Sequence, residues 1–221
     1  MTKVAVMQPY IFPYLGYFQL INAVDEYVLM DDVTWIKRGW MNRNTLKEDH
    51  LFTIPVEKAS QNKKIKDTYI CEGWANKLYQ TVKHKYSSSQ HWTKYNGLIS
   101  NLIHGCEGER FDLACYKILN EICSELNIKT RLHFATDFQV QYLKRENKIR
   151  EICKDFNATM YINPIGGKEL PFYQPDYFNP IDLRFINCKF TLPRTSIIDL
   201  LFEYGQQEIT DQLNMYELLE K

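Results

Sequence analysis

"KVAVMQPYIFPYLGYFQLINAVDEYVLMDD", residues 3–32, is the stretch whose reading decides the fold. Lys3 to Gln8 is an apolar run of strand length, stopped by Pro9. After Pro13 and Gly16, Phe18, Leu20, Ile21 and Val24 recur at helical spacing. Glu26 to Met30 then reads as a second strand, with Asp31 and Asp32 at its carboxyl end. Strand, glycine-containing turn, helix and strand make a βαβ unit, which predicts a right-handed crossover and parallel pairing. The expected fold class is therefore α/β, a mostly parallel sheet with flanking helices. In such sheets ligands collect beyond the carboxyl ends of the strands. "QPYIFPYLGY" (8–17) and "DDVTWIKRGW" (31–40) are predicted to lie there together.

Outward from this unit, "HLFTIPVEK" (50–58) reads as a strand and "NKKIKDTYI" (62–70) as an edge or loop. Residues 73–102 turn helical, in two segments split by "SSSQ". "RFDLACYKILNEICSELNI" is the clearest amphipathic helix, its stripe formed by Leu113, Tyr116, Ile118, Leu119, Ile122, Cys123 and Leu126. "KTRLHFATDF" reads as a strand, "KRENKIREICKDFN" as a helix, and "ATMYINP" as a strand ending in "IGG". "CKFTLP" is expected as a late strand, and "SIIDLLFEYG" as a helix stopped by Gly205. With no repeat and no clear linker, residues 1–221 are expected to form one domain, the helical segment 73–127 being an insertion or lid.

The charges balance, 27 Lys+Arg against 27 Asp+Glu, whereas a general nucleic-acid footprint shows a basic excess, so no nucleic-acid partner is expected. The six cysteines form no CxxC pair and show no zinc-finger spacing with histidines, so no metal site is expected. The N-terminus lacks a secretory pattern and no apolar run reaches membrane-spanning length. A cytoplasmic protein with reduced thiols and no membrane insertion follows as the expectation.

Three segments hold candidate chemistry. In "QPYIFPYLGY", prolines and a glycine fix the backbone, so that Tyr10, Phe12, Tyr14 and Tyr17 would form a rigid aromatic lip. Each ring has a packing explanation as well. Gln8, polar at the end of a buried strand, is the stronger binding candidate. In "DDVTWIKRGWMNRN", adjacent carboxylates point to opposite sides of a strand end. One would cap or salt-bridge while the other takes a proton or holds a metal. Lys37, Arg38 and Arg43 suit a phosphate or pyrophosphate, and Asn42 and Asn44 suit sugar hydroxyls or amides. A charge run is usually a solvated loop, but the interleaved Trp35 and Trp40 indicate a folded, semi-buried one. In "YINPIGG", Gly166 and Gly167 would expose N–H groups to an anion, against the plainer reading of a reverse turn. "PRTSIIDLL" places Arg194, Thr195 and Ser196 at a helix start, with Ser196 and Asp199 spaced as a capping pair.

Taken together, "QPYIFPYLGYFQLI", "DDVTWIKRGWMNRN", "YINPIGG" and "SIIDLLFEYG" resemble the WbqC-like protein family over nearly the whole chain. The positions matching it are Gln8, Pro9, Pro13, Gly16, Asp31, Asp32, Lys37, Arg38, Asn42, Arg43, Asn44, Gly166, Gly167, Ser196 and Asp199. This chain departs from the pattern at Asn163–Pro164 and in the additional Pro193–Arg194. The resemblance implies a place in O-antigen and related surface-polysaccharide biosynthesis, and transfer of glycine or another acyl group to an amino sugar. A fainter likeness of "FPYLGYFQLI" to the HxGH segment of nucleotidyltransferases and pantothenate-synthetase-like ligases, with tyrosines in place of histidines, raises ATP with magnesium as a possible cofactor.

The leading expectation is an acyl- or aminoacyltransferase acting on a nucleotide-linked amino sugar. Lys37, Arg38 and Arg43 would hold the pyrophosphate, Tyr10 and Tyr14 would stack sugar or base, and Asp32 beside Asp31 would be the general base. On this reading Asp32→Asn abolishes turnover and leaves stability nearly unchanged. The alternatives are a non-catalytic sugar-nucleotide-binding module, or an ATP-dependent nucleotidyltransferase or amide ligase.

Overall fold

The structure, a computed structural model, describes residues 1–58, 62–143 and 145–221. β1 (Lys3–Met7), α1 (Leu15–Asn22) and β2 (Glu26–Leu29) form the expected βαβ unit, with β1 and β2 parallel and Met7 opposite Leu29. β3 (Arg43–Leu46) and β4 (His50–Thr53) follow as a separate antiparallel hairpin. Three helices, α2 (Ala75–Tyr86), α3 (Trp92–His104) and α4 (Phe111–Glu125), lead back to β5 (Arg131–Phe134). α5 (Arg145–Asp155) connects to β6 (Met160–Pro164), and the short α6 (Pro175–Phe178) precedes β7 (Asp182–Cys188). α7 (Ile197–Glu203), α8 (Gly205–Gln212) and β8 (Tyr216–Leu219) complete the chain.

The main sheet has the order β5-β2-β1-β6-β7-β8, parallel throughout except for β8 against β7. From β1 the chain moves to β2 and β5 on one side, and later to β6 and β7 on the other. The order therefore reverses between β1 and β6, and their carboxyl ends diverge at a switch point.

Strand alternation explains the two layers of core. Ala5, Tyr27, Leu29, Ile162 and Ile186 face a large cluster built with α1, α4 and α7. Val4, Val6, Val28, Tyr161 and Phe185 face a second cluster with Ile149 and Ile152 of α5 and Phe178 of α6. Burial on both faces accounts for the unbroken apolar reading of β1. Val82 of α2 and Ile99 of α3 belong to the same large cluster as α1 and α7. In α1, Leu15 to Ile21 are all buried, including Gln19, whose Nε2 lies 2.7–3.0 Å from the carbonyl oxygens of Lys189, Gln212 and Met215. Among the described residues no helix is long and apolar enough to cross a membrane.

Several boundaries differ from the sequence expectations. The late strand is Asp182–Cys188 rather than "CKFTLP", because Leu183 and Phe185 point into the core while Arg184 turns out to Asp182 and Glu220. "RNTL" within the presumed loop is β3, paired with a β4 shorter than expected. Leu113 and Tyr116 of α4 are only half-buried; Phe111, Ala114 and Cys115 replace them on the core side. Gly205 ends α7 as expected, but at φ +74° it turns the chain directly into α8. A Cβ there would stand 2.6 Å from the His91 ring.

Candidate functional site

The chain leaving β1 is held by partners far away in sequence. Phe12, fully buried, adopts φ 45°, a left-handed conformation that costs a non-glycine residue about 1 kcal/mol or more. Its carbonyl oxygen accepts hydrogen bonds from Asn44 Nδ2 at 3.0 Å and Ser196 Oγ at 2.9 Å. On either side, Ile11 N–H donates to the Met41 carbonyl, and the Pro13 carbonyl accepts from Ile197 N–H. Tyr17 Oη–H donates to the Gln8 carbonyl at 2.8 Å. β3 and the start of α7 thus brace the turn, and Pro9 and Pro13 limit its other conformations.

The braced turn forms one wall of a cavity of about 350 Å3 at the carboxyl ends of β1, β6 and β7. That volume lies at the lower end of the range for small-molecule sites, and the switch point is where an open α/β sheet binds ligands. Gln8, Tyr10, Tyr14 and Tyr17 line it from one side, Ile36 and Trp40 from another, and Asn187, Cys188, Phe190 and Arg194 from a third. A second lobe of about 490 Å3 shares Tyr10, Tyr14, Trp40 and Arg194 and extends to Asn44 and Thr45.

The polar groups of this cleft are unequally engaged. The side-chain amide of Gln8 has no hydrogen-bond partner among the described residues, and Arg194 has no carboxylate partner there. The Arg194 guanidinium lies 5.6 Å from the Phe190 ring centre, and that of Arg43 lies 4.9 Å from the Trp40 ring centre. Burial raises the phenol pKa of Tyr10, and Arg43 opposes the shift. Burial likewise raises that of Tyr14, with Cys188 adding to it and Arg194 opposing. The Cys188 thiol is pushed up to about 11 by burial, Arg194 again acting the other way. All three groups are protonated at neutral pH and serve as donors or packing surface rather than as bases.

The acids sit elsewhere. Asp31 is fully buried and accepts from Thr136 N–H at 3.1 Å and Thr136 Oγ–H at 2.6 Å, tying the end of β2 to the turn after β5. Burial raises its pKa, and the Thr136 hydroxyl counteracts that shift. Asp32 Oδ2 accepts from Lys148 Nζ of α5 at 2.5 Å in a buried ion pair, while its Oδ1 has no partner. Neither carboxylate lines the cleft. Against the expected indifference of stability to Asp32→Asn, this pairing argues for destabilisation, since the change strands a buried ammonium.

The remaining predicted residues divide. Lys37 and Arg38 are exposed, outside the lining, and Arg38 has φ 59°. Arg43 donates to the Arg38 carbonyl at 2.5 Å, which fixes the loop against Trp40. Asn42 Nδ2 donates to the Ile54 carbonyl at 2.8 Å within the hairpin, and Asn44 braces Phe12. Gly166 is open to solvent, whereas a Cβ on Gly167 would stand 1.7 Å from Asn163 Nδ2. Neither lines the cleft, although Pro164 and Ile165 do. Ser196 Oγ accepts from Ile198 N–H as a cap, but Asp199 instead accepts from Tyr86 Oη–H and Thr195 Oγ–H, both at 2.6 Å. Among the described residues, no three His, Cys, Asp or Glu side chains gather as metal ligands.

Sequence reasoning passed over Asn187, Cys188 and Phe190 as cleft residues, and treated Arg194 only as part of a helix start. The missed signal was the polar, aromatic run after β7, whose carboxyl end neighbours β6.

No solved structure matches this chain. The uncharacterized protein Rv1507c of Mycobacterium tuberculosis is 29% identical over 225 residues, covering 94% of this chain and 96% of that protein. Residues 8–211 match the sequence pattern of the WbqC-like protein family, a span from the braced turn through α7 and nearly all of α8, and the chain belongs to that family.

Proposed function

We propose that the chain is a transferase that binds a nucleotide-linked amino sugar in the switch-point cleft and passes an acyl group, glycine being the first candidate, to the sugar's amine. The observation that carries the binding half is a cation without a carboxylate partner, Arg194, beside an unbonded amide, Gln8, in an aromatic cleft. Arginine matches phosphate oxygens in bidentate geometry, amides read hydroxyls and N-linked groups from either side, and aromatic faces accept sugar or base. In the transfer, the amine nitrogen bonds to the acyl carbon as the donor's activating group departs, and the amine's surplus proton passes to a base.

A second reading, a binding module without catalysis, is favoured by one specific feature. Among the described residues no Asp or Glu lines either lobe, and Asp31 and Asp32, expected as acid–base groups, are engaged outside it. On the transferase reading the proton goes to solvent or to the departing group. Asp32 then acts through the placement of β2 rather than by touching the amine.

The test is a thermal-shift panel of nucleotide-linked amino sugars, glycine, and ATP with magnesium, singly and paired, followed by mass analysis of the sugar. The transferase reading expects stabilisation by a nucleotide sugar and a glycyl-mass product when an activated donor is added. Stabilisation without product favours the binding module. Stabilisation by ATP alone, with no response to any nucleotide sugar, overturns both.

A further inference from the structure

The cleft has two lobes that share part of their lining, and this division says how a ligand would lie in it. This inference rests on the nucleotide-sugar reading above. Tyr10, Tyr14, Trp40 and Arg194 belong to both lobes. Among the described residues Arg194 is the only cationic side chain lining either, so the positive charge of the cleft stands where the two linings overlap. The inner lobe, floored by strand ends, holds the amides of Gln8 and Asn187. Among the described residues Asn187 Nδ2 has one long contact, 3.5 Å to Glu217, and the Gln8 side chain has none. The outer lobe is bounded by the shared aromatic rings and by Asn44 and Thr45 of the hairpin. Trp40, 56% exposed, has Arg43 over its ring and lines both lobes.

We propose that the lobes divide a nucleotide-linked sugar into its three parts. The diphosphate lies at Arg194, the base stacks on Trp40 and Tyr10 in the outer lobe, and the sugar lies against Gln8 and Asn187 in the inner lobe. Each assignment follows from the chemistry present. A diphosphate seeks the guanidinium that lines the cleft without a carboxylate partner among the described residues. A base has a π-face for rings and needs no specific hydrogen bond. A sugar needs paired donors and acceptors, which the inner lobe supplies as side-chain amides still free to bond, whereas the Asn44 amide of the outer lobe is engaged by Phe12 and Thr45. Gln8 and Asn187 would thereby choose the sugar, and Trp40 would tolerate more than one base.

The test is titration calorimetry of the full chain with uridine, thymidine and guanosine diphosphates and with glucosamine 1-phosphate. Three variants are compared: Thr45→Phe, which narrows the outer lobe; Gln8→Leu, which removes the inner amide; and Arg194→Gln. Thr45→Phe is expected to weaken nucleoside diphosphates by about tenfold or more and to spare the sugar phosphate, and Gln8→Leu to do the reverse. Arg194→Gln is expected to weaken both. Because Thr45→Phe crowds a half-buried strand, indole fluorescence provides a second readout without it. Nucleoside diphosphate, but not glucosamine 1-phosphate, is expected to quench emission, and Trp40→Phe to remove that response. Equal losses of both ligand classes in Thr45→Phe and Gln8→Leu, or quenching that persists in Trp40→Phe, overturn the division while leaving the nucleotide-sugar reading intact. Binding of neither ligand class by the unsubstituted chain overturns both.

Discussion

Asp32 and Lys148 form a nearly dry ion pair, 2.5 Å between Oδ2 and Nζ, that joins the end of β2 to the first turns of α5. Removing one member of such a pair costs more than the pair is worth, because the other charge stays buried. Asp32→Asn is expected to lower unfolding free energy by roughly 3–5 kcal/mol in urea titration, whereas the double change Asp32→Leu with Lys148→Met recovers most of the loss. A single variant as stable as the original chain would mean that Lys148 reaches solvent. Cys188 gives a second prediction at this scale. Its thiol, raised to about 11 by burial, carries far less thiolate at pH 8.5 than a free cysteine. Its alkylation by iodoacetamide is expected to be on the order of a hundredfold slower than that of a free thiol, and to accelerate as pH climbs toward 11. Since Arg194 pulls the value down, Arg194→Gln is expected to slow the reaction further. Mass mapping of the modified peptide reads both outcomes.

Among elements, the turn after β1 is held by partners distant in sequence. Ser196 both caps α7 and donates to the carbonyl of the left-handed Phe12, so Ser196→Ala removes two hydrogen bonds. A loss of about 1–2 kcal/mol is expected by chemical denaturation, with weaker binding of any cleft ligand as the turn loosens. The turn after β6 offers a paired test. Gly167→Ala drives a methyl group into buried Asn163 and is expected to cost about 1–3 kcal/mol, while Gly166→Ala meets nothing and stays within roughly 0.5 kcal/mol. Equal effects would show that the turn, not the Asn163 contact, requires both glycines. The sequence spelled out α4 and β1 because their apolar spacing is local. It hid β3 because "RNTL" has no apolar alternation and becomes a strand through its pairing with β4.

For the whole molecule, the switch point joins β1, β6 and β7, which lie far apart in sequence, around one cleft. A ligand bridging those strand ends ties both halves of the sheet together and stabilises the folded chain by mass action. A nucleotide-linked amino sugar at one hundred times its dissociation constant is expected to add about 2.7 kcal/mol, read as a rise in Tm. Thr45→Phe and Arg194→Gln should each reduce that rise at fixed ligand concentration. The sequence by itself determined the βαβ start, the parallel sheet and the family, since these rest on short-range periodicity and on turn residues such as Pro9, Pro13 and Gly16. It also located one wall of the cleft in Gln8, Tyr10 and Tyr14. Only the tertiary structure decided which charges face that cleft. Asp32 finds Lys148, Asn44 finds Phe12, and Arg194 is left without an acid among the described residues, because each outcome depends on elements brought together by sheet order rather than by neighbouring residues.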